Sequence, residues 1–78
     1  MTLEIISAHE VTFTGEVTAV TLPGTLGSFT VLRNHAALIS VLTAGDVVYT
    51  TPDAEKHSIS IKGGLADVNN NVISVCIY

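Results

Sequence analysis

The sequence predicts an all-β fold, a single small β-sandwich or flattened barrel of about eight to ten short strands. Three observations lead there. Ten valines, seven isoleucines and ten threonines stand among the 78 residues, and β-branched side chains suit a pleated surface while losing rotamer freedom in a helix. Apolar residues recur with the two-residue period of a strand through most of the chain. Glycine, proline and asparagine clusters interrupt these runs at near-regular intervals, and no long Ala/Glu/Leu stretch favours helix instead.

Taken in order, the first strand runs from Thr2 to about Ser7, with Leu3 and Ile5 on one face and Glu4 and Ile6 on the other. An outward Ile6 needs a neighbour. Ala8, His9 and Glu10 turn the chain, and Val11 and Phe13 alternate with Thr12 and Thr14 up to Gly15, which completes a hairpin. From Glu16 to Leu22 the parity changes: Val17 and Ala19 share one face, Val20 and Leu22 the other. A bulge near Thr18 or Ala19 is expected there, because one extra residue flips every later side chain. Pro23 and Gly24 end that strand, since proline lacks the ladder N–H and glycine accepts a positive φ, and Gly27 restarts the chain. Ser28, Thr30 and Leu32 then alternate with Phe29 and Val31, and Arg33, Asn34 and His35 form a polar corner. Ala36 to Leu42 is apolar except for Ser40, the pattern of a strand covered on both sides. Val47 and Tyr49 alternate with Val48 and Thr50 until Pro52 and Asp53 break the strand. Glu55 to Lys62 alternates again, with His57, Ile59 and Ile61 on one face. Gly63 and Gly64 turn the chain into a short strand, Leu65 to Val68. Asn69, Asn70 and Asn71 tolerate the left-handed conformation of a tight turn, and Val72 to Tyr78 closes the chain as a dense apolar strand.

A chain of 78 residues has room for one domain, residues 1–78, that buries only about 60% of its unfolded surface. Total stability of roughly 4 to 12 kcal/mol compares with about 2 to 5 kcal/mol for one buried Leu-to-Ala truncation. One core residue therefore decides folding. The net charge is −4, with Arg33, Lys56 and Lys62 as the only fixed cations, so nucleic-acid binding would lack its main driving term. Cys76, between Val75 and Ile77 and without a second cysteine in the chain, reads as a small buried hydrophobe. No charged leader with an apolar core is seen, and no apolar run approaches the ~20 residues of a membrane helix. The expectation is a soluble domain, monomeric when isolated, that reaches a membrane only through partners.

The residues offer little chemistry. His9, His35 and His57 lie far apart and none has a second ligand type at metal spacing. Gly24-x-x-Gly27 matches the GxxG of some RNA-binding loops without their helices or basic charge, and reads as a turn. Lys62-Gly63-Gly64 lacks the upstream glycine and the hydroxyl residue of a phosphate loop. Ser58, His57 and Glu55 could make a triad only on paper, because adjacent strand residues point to opposite faces. No catalytic residue, metal or cofactor is expected, and a binding role remains.

Several ordered blocks carry a specific resemblance. Leu22-Pro23-Gly24, Gly27-x-Phe29, Leu32-x-Asn34-His35-Ala36, Leu38-Ile39 and Gly45 follow the order and spacing of the epsilon subunit of bacterial F-type ATP synthases. Leu3 to Gly15 resembles that family's opening hairpin, and Ile61 to Val68 its Gly-Gly turn and following strand. Nearly the whole chain is covered. The resemblance implies a non-catalytic subunit at the foot of the rotating central stalk, which clamps the gamma subunit, rests on the membrane ring of c subunits and couples proton-driven rotation to ATP synthesis. It implies a peripheral location on the cytoplasmic side of the bacterial membrane. Gly24, Thr25, Leu26, Gly27 and Ser28 match the ring-facing loop, and Ser7, His35, Leu38 and Ser40 match gamma-facing positions. Plain turn geometry for the glycines and core packing for Leu38 are the readings that need no partner.

The chain also departs from the family pattern. Leu26 and Ser28 stand where many members carry acidic residues, so Leu26 offers an apolar anchor in place of an ionic contact. Thr30 replaces a usual glycine and Arg33 a usual proline, although Asn34 can still turn that corner. Most members continue into a C-terminal helical hairpin that binds ATP in some species and inhibits hydrolysis; this sequence stops at Tyr78. If these residues are the whole product, a constitutive clamp is expected; a truncated chain is the alternative. A rival reading is a lipoyl or biotinyl carrier domain with Lys56 as its attachment site, and a generic interaction module sharing the sandwich is a third.

Overall fold

The computed structural model describes residues 1–78 as nine strands without a helix. These are β1 (Thr2–Ile6), β2 (Val11–Glu16), β3 (Ala19–Gly24), β4 (Gly27–Leu32), β5 (Leu38–Leu42), β6 (Gly45–Thr50), β7 (Lys56–Ile61), β8 (Gly64–Asn69) and β9 (Val72–Ile77). The hydrogen-bonded path runs β2-β1-β9-β8-β5-β3-β6-β7, with β4 on the free side of β3. Every pairing is antiparallel except β1 with β9. Between β5 and β3 the path hangs on one residue pair, Gly24 with Leu42, and there it folds over into two layers, β2-β1-β9-β8-β5 and β4-β3-β6-β7.

The period-two pattern sends alternate side chains between the layers. Leu3, Ile5, Val68, Ile73 and Val75 come inward from the first layer, and Val20, Leu22, Val31, Val47 and Tyr49 from the second, into one buried cluster. The layers meet where the Phe13 ring lies 4.4 Å from that of Tyr49, centroid to centroid. His57, the cross-strand partner of Tyr49, stacks on its ring at 5.3 Å, so it is held on the Tyr49 side of β7 as the alternation predicts. Asn70 and Asn71 take φ of 51° and 60°, the left-handed pair that a two-residue hairpin turn needs.

Four local expectations change. The parity change near Thr18 is no bulge: Val17 still donates to the Met1 carbonyl, and Thr18 already donates to that of Thr50, so the chain crosses from one layer to the other. The register shift falls instead between Ile5 and Ile6, opposite Val11 and Phe13. Pro23 does not end its strand, because β3 runs on to Gly24. Gly24 and Gly27 close the hairpin as a bonded pair, which puts Pro23 opposite Ser28 in a non-bonded pair, and its missing N–H falls on the side where β3 has already left β6. Cys76 is exposed, since Ile73 and Val75 are both buried and alternation turns Cys76 outward between Ile6 and Leu65. The Ala36 to Leu42 run is covered on one side only: Ile39 and Val41 are 70% and 55% exposed, because nothing is layered over the outer face of β5.

Candidate partner interface

The β3–β4 hairpin reverses through Thr25 and Leu26 alone. Gly27 follows at φ 127°, a left-handed value that a side chain resists, and the tip pushes Leu26 into full exposure. An apolar side chain in that position covers no core. It is available only to something outside the domain.

Behind the tip the chain runs up β4 to the polar corner. His35 donates its N–H to the Leu32 carbonyl at 3.2 Å, and Asn34 sits at φ 63°, so the corner turns without the proline whose place Arg33 takes. A clamp from a distant turn holds it. The Asn34 N–H donates to Asn71 Oδ1 at 2.7 Å, and Asn71 Nδ2 donates back to Asn34 Oδ1 at 3.1 Å. The chain then enters β5 with its direction fixed from both ends.

Between the hairpin tip and β5 lies an open groove of about 670 Å³. Gly24 to Phe29 form one wall, Leu38 to Val41 the other, and His35 stands at the corner end with its Nδ1 2.8 Å from the Ala36 carbonyl oxygen. Phe29 and Leu38, both packed against the core, supply apolar surface to its walls. None of the eleven lining residues carries a fixed charge. All five loop residues and three of the four gamma-facing positions, His35, Leu38 and Ser40, thus share one groove.

Ser7 does not join them. Its Oγ accepts from the His9 and Glu10 N–H groups at 3.4 and 3.3 Å, which closes the β1–β2 turn. Register across β1, β9, β8 and β5 puts Ser7 at the hairpin-tip end of the strands, about 14 Å from β5 at ~4.8 Å per strand. Lys56 is equally remote. It opens β7 opposite Thr50 and stands off the tip of its turn, where a carrier domain would need it. Sequence reasoning missed the exposure of Ile39 and Val41 and the Asn34–Asn71 clamp. The first depends on which layers exist above a strand, and the second joins positions 37 apart.

The fold and the site together define a small all-β sandwich with a projecting apolar tip and an uncharged groove. The chain belongs to the family described as ATP synthase, Delta/Epsilon chain, beta-sandwich domain, whose model matches residues 1–77. It is similar to the ATP synthase epsilon chain of Stenotrophomonas maltophilia (strain K279a), 40% identical over 72 residues that make up 92% of this chain and 51% of that one. The epsilon chain of Chlorobium limicola is 36% identical over 69 residues, 88% of this chain and 78% of that relative. This chain spans about half the length of the Stenotrophomonas relative. Among solved structures, a chain of the Euglena gracilis mitochondrial ATP synthase (OSCP/F1/c-ring) superposes with a TM-score of 0.90 at 26% identity, over 96% of this chain and 48% of that chain. A chain of the Tetrahymena thermophila mitochondrial ATP synthase central stalk and c-ring, at 13% identity and a TM-score of 0.82 over 99% of this chain and 62% of that one, shares the fold.

Proposed function

We propose that this chain is the sandwich of a non-catalytic central-stalk subunit of an F-type ATP synthase. It holds the gamma subunit to the c-ring, so that rotation driven by protons at the membrane reaches the catalytic head. The observation that carries the reading is the convergence of the hairpin tip with His35, Leu38 and Ser40 on one uncharged groove. Leu26 at full exposure serves as the apolar anchor on the ring, and the groove behind it faces gamma. Membrane attachment is peripheral and comes through these partners.

Affinity capture of the tagged 78-residue chain from solubilised host membranes tests this reading. Gamma recovered with alpha, beta and c subunits supports it. Recovery of acyltransferase or carboxylase components, or of no partner, overturns it. Leu26→Asp is expected to reduce retention on purified c-rings at least tenfold, and unchanged retention would remove the anchor role.

A further inference from the structure

The β5 strand is bonded along its whole length on one side and nearly bare on the other. It pairs with β8 from Leu38 to Leu42, while its second neighbour, β3, reaches only Leu42. In an antiparallel ladder the backbone groups of alternate residues point to opposite neighbours. Thr25 donates to the Val41 carbonyl at 3.1 Å and Thr43 to that of Pro23 at 2.8 Å, so the odd-numbered residues of β5 face away from β8. The N–H and C=O of Ile39 and the N–H of Val41 therefore point to the groove side, where no strand pairs with them.

Two of the other free edges are blunted, while β4, paired only with β3 and likewise uncharged, opens on the facing wall of the groove. The outermost strand β2 carries Glu16 and the register shift opposite Ile5 and Ile6, and β7 begins at Lys56 and is followed directly by Lys62. Charge and irregular register are the usual protections of an edge against pairing. Along the open part of β5 stand Leu38, Ile39, Ser40 and Val41 without charge or proline, and Ile39 and Val41 expose apolar side chains beside the bare backbone. An unprotected, uncharged, apolar edge is the form that receives a further strand.

We propose that β5 is completed by strand addition: an extended, uncharged, apolar segment of the partner polypeptide lies in the groove between β4 and β5 and bonds to Ile39 and Val41. The proposal rests on the stalk reading above, which makes that partner the gamma subunit. At about 3.3 Å per residue, the open edge accommodates three or four residues of the added strand. Side chains of that segment would alternate between the groove and the outer face, where Ile39 and Val41 stand.

Amide hydrogen exchange measured by NMR on the labelled chain, free and bound to purified gamma subunit, tests it. In the free chain the Ile39 and Val41 amides should exchange at least tenfold faster than those of Ser40 and Leu42, and binding should slow both at least tenfold. Val41→Pro deletes the edge donor while leaving the β8 ladder intact, which the amide spectrum verifies, and should weaken binding at least tenfold. Val41→Thr should change it less than threefold. Tight binding with Ile39 and Val41 still in fast exchange, or with Val41→Pro at wild-type affinity, would overturn strand addition and leave the stalk reading standing. Absence of binding to gamma would overturn both.

Discussion

The two layers share one core and present different outer faces. On β4-β3-β6-β7 the outward side chains include Thr30, Thr21, Ser58 and Ser60, with the Thr21 and Thr30 hydroxyls 2.9 Å apart across the strands. On β2-β1-β9-β8-β5 the register lines up Val11, Ile6, Cys76, Leu65 and Val41 in one row across the sheet, and Val11, Leu65 and Val41 are among the exposed large hydrophobics. The first face is mostly hydroxyls, and its one large exposed apolar side chain, Leu32, stands alone in a row with Ala19 and Thr50. The second ends at the groove beside β5. A domain of this size spends its limited apolar surface on one interior, and under the stalk reading proposed above the additional apolar row is the surface open to a partner.

The comparison requires that both faces rest on a single cooperative core. Leu22→Ala in the second layer and Ile73→Ala in the first, both fully buried, should each cost about 2 to 5 kcal/mol in urea unfolding. Tyrosine fluorescence and circular dichroism should report the same midpoint in each variant. Separate midpoints would mean that the layers melt independently and that the contrast between faces is one between two units.

The faces themselves separate at the next level. Ile39→Lys, on the groove side of the apolar face, should weaken gamma binding at least tenfold, about 1.4 kcal/mol. Ser58→Lys on the hydroxyl face should change it less than twofold, and neither should alter stability by more than about 0.5 kcal/mol. Equal losses from both would erase the functional difference. Within the hydroxyl face, a double-mutant cycle of Thr21→Val and Thr30→Val should return a coupling of about 0.2 to 1 kcal/mol, and zero coupling would make that pair a coincidence of register.

Strand periodicity made most of the fold legible. The inward sets Leu3/Ile5 and Ile59/Ile61 follow from alternation alone, and Asn70–Asn71 announced their turn by their chemistry. Alternation gives which side chains share a face, yet it does not give what lies above that face. That is why Cys76 and the β5 run were expected to be covered and are exposed. The parity change at Val17 to Val20 was visible, but its cause, a change of layer, depends on Met1 and Thr50 as successive partners. The groove residues were legible through resemblance, whereas the bare β5 edge became visible only with the pairing of every neighbour.

The smallest expected effect is electrostatic, and each layer has its own instance. On the edge of the apolar layer, Thr2 Oγ1 donates to Glu16 Oε1 at 2.9 Å and the Met1 amine to Oε2 at 3.1 Å. These hold the Glu16 carboxyl below its ordinary value of 4.5, the Thr2 hydroxyl first and the amine next. In the turn of the hydroxyl layer, the Thr51 hydroxyl does the same for Asp53. A carboxyl whose pKa is lowered by folding stabilises the native state above its unfolded pKa, and that contribution disappears as pH falls through the lower folded value. Urea midpoints should therefore decline on acidification below about pH 4.5. The decline should be shallower in Glu16→Gln and in Asp53→Asn, and shallower still in the double variant. Both side chains are solvent-exposed and screened by salt, so 1 M salt should flatten much of the difference. A decline unchanged in all three variants would assign acid sensitivity to other carboxylates and leave the β1–β2 edge held by its ladder alone.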